Sequence, residues 1–310
     1  MKKWGFLFLF AVFLFLIIVY LVLPRIQNSN IEAKIKCAET AAARQIVNKE
    51  KWQSWWPGEK NGEKSYSYNG CTYRIDKLLL NGFETTVFNA ADSLKGKLQF
   101  IYYGTDSTQI LWTPDYKVST NPFKRISQFA QLKKINSNVE GLVNKLHDYF
   151  SDPKNVYGMN IVKQKVTDPS LISFKKPFNH YPTTEDIYSL VNSVKEYISK
   201  KGGEESNYPM LNIYEIAPGV YEAMVAIPTK NELPAEGDFK LKKMILGYIL
   251  VGEVKGGMKT VKEGETELAN YVNDYKFLSP AIPFQSLVTN RLLEPDTSKW
   301  ITRLYYPVFN

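Results

Sequence analysis

The chain of 310 residues holds two histidines and two cysteines. A protein metal site needs such ligands clustered in sequence or along one helix face. His147 and His180 lie far from each other and from Cys37 and Cys71, so no metal centre is expected and both histidines read as structural or surface residues. A nucleophile elbow of the G-x-S-x-G kind, a phosphate-binding loop and a dinucleotide fingerprint are all missing; residues 252–257, GEVKGG, lack the spacing a phosphate needs. No catalytic residue and no cofactor are therefore expected. A helix-turn-helix with a basic recognition helix is also missing. The net charge of +8 comes from lysines scattered singly, often beside glutamates, as at Lys34, Lys36, Lys49, Glu50 and Lys51. That pattern reads as a basic surface and not as a nucleic-acid footprint.

Residues 5–23, GFLFLFAVFLFLIIVYLVL, form about 19 uncharged and almost wholly apolar positions, enough for a helix to cross ~30 Å of hydrocarbon. The run is longer than a signal-peptide core and passes directly into Pro24 and Arg25 without a small-residue cleavage site. The expectation is an uncleaved single-pass anchor over residues 1–24. Lys2 and Lys3 would keep the amino terminus cytoplasmic and place the folded domains outside, periplasmic in a Gram-negative cell. Cys37 and Cys71 would then sit in an oxidising space, where a disulfide and a pair of buried thiols are both open.

Hydrophobic and aromatic fractions of 44% and 14% exclude intrinsic disorder, and the length suits two domains. IEAKIKCAE alternates as a strand does, and the alanine-rich stretch that follows, up to WQSWWPG at 52–58, has helical character. Residues 65–120 alternate β-branched and aromatic side chains between turn signals, predicting about four antiparallel strands. Asn121-Pro122 opens a long helix with Val139, Leu142, Val143, Leu146 and Phe150 on one face. SDPKN at 151–155 closes this unit. Beyond it, residues 159–175 read as a strand, and Thr183 with Asp186 reads as a capping box for a helix ending at Gly202-Gly203. Strands follow at 210–216 and 220–227. The order then recurs, with a strand at 240–254, a helix at 257–275 and strands at 282–287 and 300–308. A period of roughly 75 to 80 residues suggests two copies of strand, helix, strand, strand.

A strand, a helix bearing Trp-x-x-Trp-Trp-Pro, a meander and a long closing helix introduced by Asn-Pro-Phe resemble the START-type (SRPBCC, polyketide-cyclase-like) fold across about residues 31–150. Residues 157–310 are similar to the GyrI-like family, the bacterial effector-binding domain. The similarity rests on YEAMVAIP at 221–228, Gly247-Tyr248 within a strand, and EPDTSKW at 294–300 followed by LYYPV at 304–308. The resemblance implies an α+β protein: a START-like helix-grip sheet with a long C-terminal helix, then a duplicated β-α-β-β domain with one antiparallel sheet and helices on one side. Both halves would form ligand cavities. In the regulator branch of the GyrI-like family a strand-borne glutamate neutralises a cationic ligand, and this chain carries Gln285 there.

The aromatic residues of the second half recur at candidate sheet positions, as walls for an apolar molecule would. Tyr221, Tyr248, Gln285, Trp300 and Tyr305 are candidate ligand-binding residues. Glu222, a carboxylate inside an otherwise apolar strand, either faces a ligand amine, acts as a base, or points to solvent. Trp55 and Trp56 are adjacent, so on a helix they cannot share a face; they read as cavity mouth and core, with membrane contact as the competing reading. The expectation is a membrane-anchored, non-catalytic binder of a hydrophobic or amphipathic small molecule for sensing, sequestration or transfer. Its rivals are a small-molecule hydrolase using Glu222 with Tyr248 or Tyr305, and a scaffold with filled cavities.

Overall fold

The computed structural model describes residues 2–22, 30–90, 92–116, 119–167, 170–279 and 281–309. The chain divides into two compact units, Met1–Asp152 and Pro153–Asn310.

Unit 1 opens with α1, Lys2–Val22. Among the described residues no helix is long and apolar enough to cross a membrane. This overturns the expected single-pass localisation with a cytoplasmic amino terminus and extracytoplasmic domains. Leu23, Pro24 and Arg25, which that expectation also used, lie outside the described residues.

The remainder of unit 1 comprises β1 (Ile31–Ile35), α2 (Glu39–Val47), α3 (Trp52–Trp55), β2 (Ser65–Tyr68), β3 (Cys71–Leu79), β4 (Gly82–Asn89), β5 (Asp92–Gly104), β6 (Ser107–Asp115) and α4 (Pro122–Phe150). The one helix expected after β1 is broken at Asn48, whose side chain accepts from the backbone N–H of Glu50 and so competes with helix propagation. The meander has five strands where about four were expected. The six-stranded antiparallel sheet runs β1-β6-β5-β4-β3-β2. α4 starts as its sequence predicts, with Asn121 accepting from the N–H groups of Phe123 and Lys124 and Pro122 in the first turn. Its apolar stripe, Leu132, Ile135, Val139, Leu142, Val143, Leu146 and Phe150, is buried. α4 packs on β1, β4, β5 and β6. Cys37 and Cys71 are both buried thiols with no disulfide between them, and burial pushes the Cys71 thiol up.

Unit 2 comprises α5 (Pro153–Tyr157), β7 (Ile161–Lys165), β8 (Ser170–Phe178), α6 (Thr184–Lys200), β9 (Met210–Ala217), β10 (Val220–Pro228), β11 (Lys240–Lys243), β12 (Tyr248–Lys255), α7 (Met258–Asp274), β13 (Phe284–Leu287) and β14 (Ile301–Val308). Two copies of strand-helix-strand-strand, β8-α6-β9-β10 and β12-α7-β13-β14, form one sheet in the order β11-β8-β10-β9-β13-β14-β12-β7. The copies meet where β9 pairs with β13.

Residues 159–175 and 240–254, each expected as a single strand, are each two strands at opposite ends of this sheet. β7 pairs with β12 of the other copy, and β11 with β8. In a flat sheet β7 and β8 would be about 29 Å apart, six spacings of ~4.8 Å, yet residues 166–169 reach at most about 17 Å. The same holds for β11 and β12. The sheet must therefore curl until its edges approach. Gly247 supplies the break before β12, with φ of +152°, a conformation reserved for glycine. Its carbonyl accepts from Val166 N–H at 3.1 Å and ties the two crossovers together.

Met244, in the second crossover, packs with Leu171, Met210, Ala226 and Phe284, all on the face without helices. That face is the concave one. On the convex face α6 sets Ile187, Leu190, Val191, Val194 and Ile198 against Leu211, Ala223, Val225 and Ile227. α7 sets Val261, Leu268 and Val272 against Leu250, Val254 and Leu304. Each such valine, leucine or isoleucine contributes about 1.5–3 kcal/mol by leaving water. The two apolar cores are separate, and the groove between them lies over the β9–β13 junction.

Candidate functional site

That groove is a cleft of about 310 Å³ reached by Tyr181, Glu265, Leu268, Gln285 and Tyr306. α7 positions its acidic member. Gly264 sits so close to the sheet that a Cβ there would lie 2.8 Å from both Leu304 Cδ1 and Val254 Cγ1, so the helix seats deeply. Glu265 follows it, four residues after Val261 and three before Leu268, at the edge of the buried stripe. Gln285, on β13, is 4% exposed and donates from Nε2 to Glu265 Oε1 at 3.0 Å. Its own Oε1 is buried with no hydrogen-bond partner. An acceptor left in that condition costs on the order of 1–3 kcal/mol.

The Glu265 side chain is open to water in the cleft. The protein around it nevertheless pushes its carboxyl above the usual range, because desolvation outweighs the opposing effects of Gln285, Lys262 and Arg291. Arg291 is buried nearby, its Nη2 donating to Thr302 Oγ1 at 2.9 Å and its guanidinium lying 5.0 Å from the Trp300 ring centre. Its backbone N–H donates to the Tyr188 hydroxyl at 2.8 Å, and that hydroxyl donates to Thr289 O at 3.0 Å. Tyr181, at the cleft wall, meets Tyr221 edge-to-face at 5.4 Å. Accessible aromatic faces, a carboxylate and an unfilled acceptor thus converge at one place. Sequence reasoning missed Glu265, Tyr181 and Arg291. The legible signal was a carboxylate interrupting the Val261, Leu268, Val272 stripe.

The residues expected to bind ligand are dispersed. Gln285 lines the convex cleft, and Tyr221 stands beside it through Tyr181, whereas Tyr305 is paired across the strands with Phe284 on the concave face. Tyr305 stacks on Phe284 at 4.9 Å. Trp300 is buried, donating from Nε1 to Glu294 O at 2.8 Å. Tyr248 lies under the Lys163 amine at 4.6 Å. Glu222 is on the opposite, concave face, in a cavity of about 760 Å³. There it accepts from the Tyr214 hydroxyl and pairs with Lys175 at 3.0 Å; the Tyr214 hydrogen bond, then Lys175, hold its carboxyl below the usual range. Such a carboxylate is a weak base. Trp55 and Trp56 belong to unit 1, buried with Trp52, Tyr66 and Phe83 in one aromatic cluster. Their indole N–H groups donate to Gln45 O and Ser67 O. Among the described residues no group of three or more potential ligands can hold a metal ion.

No family model matches the chain, and no curated protein does. Solved structures resemble about half of the chain at low identity. The C-terminal domain of EcmrR is 16% identical, with 48% of this chain and 97% of that one covered and a TM-score of 0.40. SAV2435 bound to tetraphenylphosphonium is 17% identical, with 48% and 94% covered and a TM-score of 0.32. A hydrolase from Listeria innocua is 11% identical, with 47% and 91% covered and a TM-score of 0.35.

Proposed function

We propose that unit 2 binds a small amphipathic molecule in the cleft between α6 and α7, and that the molecule presents an aromatic or apolar body together with an N–H donor or positive charge. The observation that carries this reading is the Glu265–Gln285 pair: an accessible carboxylate with a raised pKa, beside an amide oxygen that has no hydrogen-bond partner. A donor seated there satisfies both groups, while Tyr181 and Tyr306 supply aromatic surface. The reading is one of sensing, sequestration or transfer without turnover. The lowered pKa of Glu222 and its distance in the fold from Tyr248 weaken the hydrolase alternative. For unit 1 the proposal is a START-type helix-grip fold, supported by the meander order and by α4 lying on the sheet.

Calorimetry with 1-naphthylmethylammonium and its uncharged counterpart 1-naphthylmethanol tests the cleft. Preferential binding of the ammonium is expected. Equal affinity of the two probes would remove the role assigned to Glu265 and Gln285.

A further inference from the structure

The concave face of the same sheet holds a second site. Its cavity of about 760 Å³ adjoins an apolar one of about 240 Å³, and Asn212, Met224, Lys242 and Ile282 line both. The two differ in chemistry. The first carries Lys175, Lys240 and Lys242 against Glu222 and Asp238. Glu222 is already paired with Lys175 and accepts a hydrogen bond from Tyr214. Lys240 donates to the Gly237 carbonyl, and the Lys242 ammonium rests 3.1 Å from Met224 Sδ, a poor acceptor for a full charge. One positive charge is therefore left over at the mouth. The second cavity is walled by Leu171, Met210, Ala226, Met244, Ile245 and Phe284, so it suits hydrocarbon. At the junction Asn212 Oδ1 is buried with no hydrogen-bond partner, while its Nδ2 donates to Pro283 O at 2.9 Å.

We infer that this face binds a free acyl-chain acid: the carboxylate on Lys240 and Lys242, a neighbouring N–H or O–H on Asn212 Oδ1, and the chain in the apolar cavity. The methionines suit a flexible chain because their unbranched side chains adapt to it. This site is separate from the α6–α7 cleft and does not depend on the reading given to that cleft.

N-acylglycines of increasing chain length are the probes, titrated calorimetrically into the full chain below their micelle concentrations. Affinity is expected to rise by up to about fourfold per added methylene until the cavity is filled. Lys242→Gln is expected to weaken N-decanoylglycine about tenfold, and Lys240→Gln with Lys242→Gln further, both being exposed positions where folding is unaffected. Met244→Gln leaves the charges in place and is expected to flatten the chain-length dependence. Glu265→Gln is expected to leave this binding unchanged while weakening the ammonium probe, which separates the two sites. The inference is overturned if decyltrimethylammonium binds as tightly as N-decanoylglycine, or if the lysine and Met244 variants bind N-decanoylglycine as the wild type does.

Discussion

Glu265→Gln exchanges the cleft's carboxylate for an amide of the same size that can still pair with Gln285. A cationic probe about 4 Å from a carboxylate gains roughly 4 kcal/mol at an effective dielectric of 20. Glu265 is open to water, so screening reduces the retained part to about 1–2 kcal/mol. Kd for 1-naphthylmethylammonium should accordingly rise about five- to thirtyfold in the variant, while 1-naphthylmethanol binding should be unchanged. The pH dependence has a definite sign. Desolvation raises this carboxyl above its ordinary 4.5, so the anion is lost at a higher pH than for an ordinary glutamate. Wild-type affinity for the ammonium should therefore fall as pH drops through that raised value, and the variant's should stay flat. Stability of the ligand-free protein runs the other way: a raised carboxyl favours the protonated folded state, so stability declines as pH rises from 4.5 through the raised value. The two trends are read by calorimetry of binding and by urea unfolding. Identical Kd for variant and wild type across the range, or a wild-type affinity that does not respond to pH, would refute the electrostatic role of Glu265.

Gly264→Ala should destabilise unit 2 by about 1–3 kcal/mol, although alanine gains up to ~1 kcal/mol in helix propensity, because the added methyl meets Leu304 and Val254 at 2.8 Å; denaturant midpoints measure it. Trp52→Phe should cost unit 1 about 2–4 kcal/mol, since it removes the indole N–H bond to Ile46 O and leaves a void against Trp55, Tyr66 and Phe83. Asp186 is held down to about 2 by hydrogen bonds from His180 and Thr183. Its cap contribution should be present above its ordinary 3.8 and vanish as pH falls towards about 2; Asp186→Ala should remove that acid dependence in unfolding curves.

Much of the fold was legible because its signals are local. The caps at Asn121 and Thr183, the stripe from Val139 to Phe150, and the stripe of α6 are each fixed by neighbours within a few residues, and each is where the sequence places it. Gln285 and Tyr305 were singled out from the sequence, but strand alternation sets them on opposite faces of the sheet.

The sequence by itself determined the long helices of both units, most strands and their twofold order, because propensity, capping and periodicity act over one or two turns of chain. Tertiary structure alone decided that residues 159–175 and 240–254 each divide between opposite edges of a curled sheet, since a strand's hydrogen-bond partner is not written in its own residues. That curl turns Glu222 and the lysines of β11 to one face, and brings Glu265 of α7 to Gln285 of β13 on the other. Contacts between distant segments, settled only when the apolar surfaces close, place the charges that give each face its chemistry.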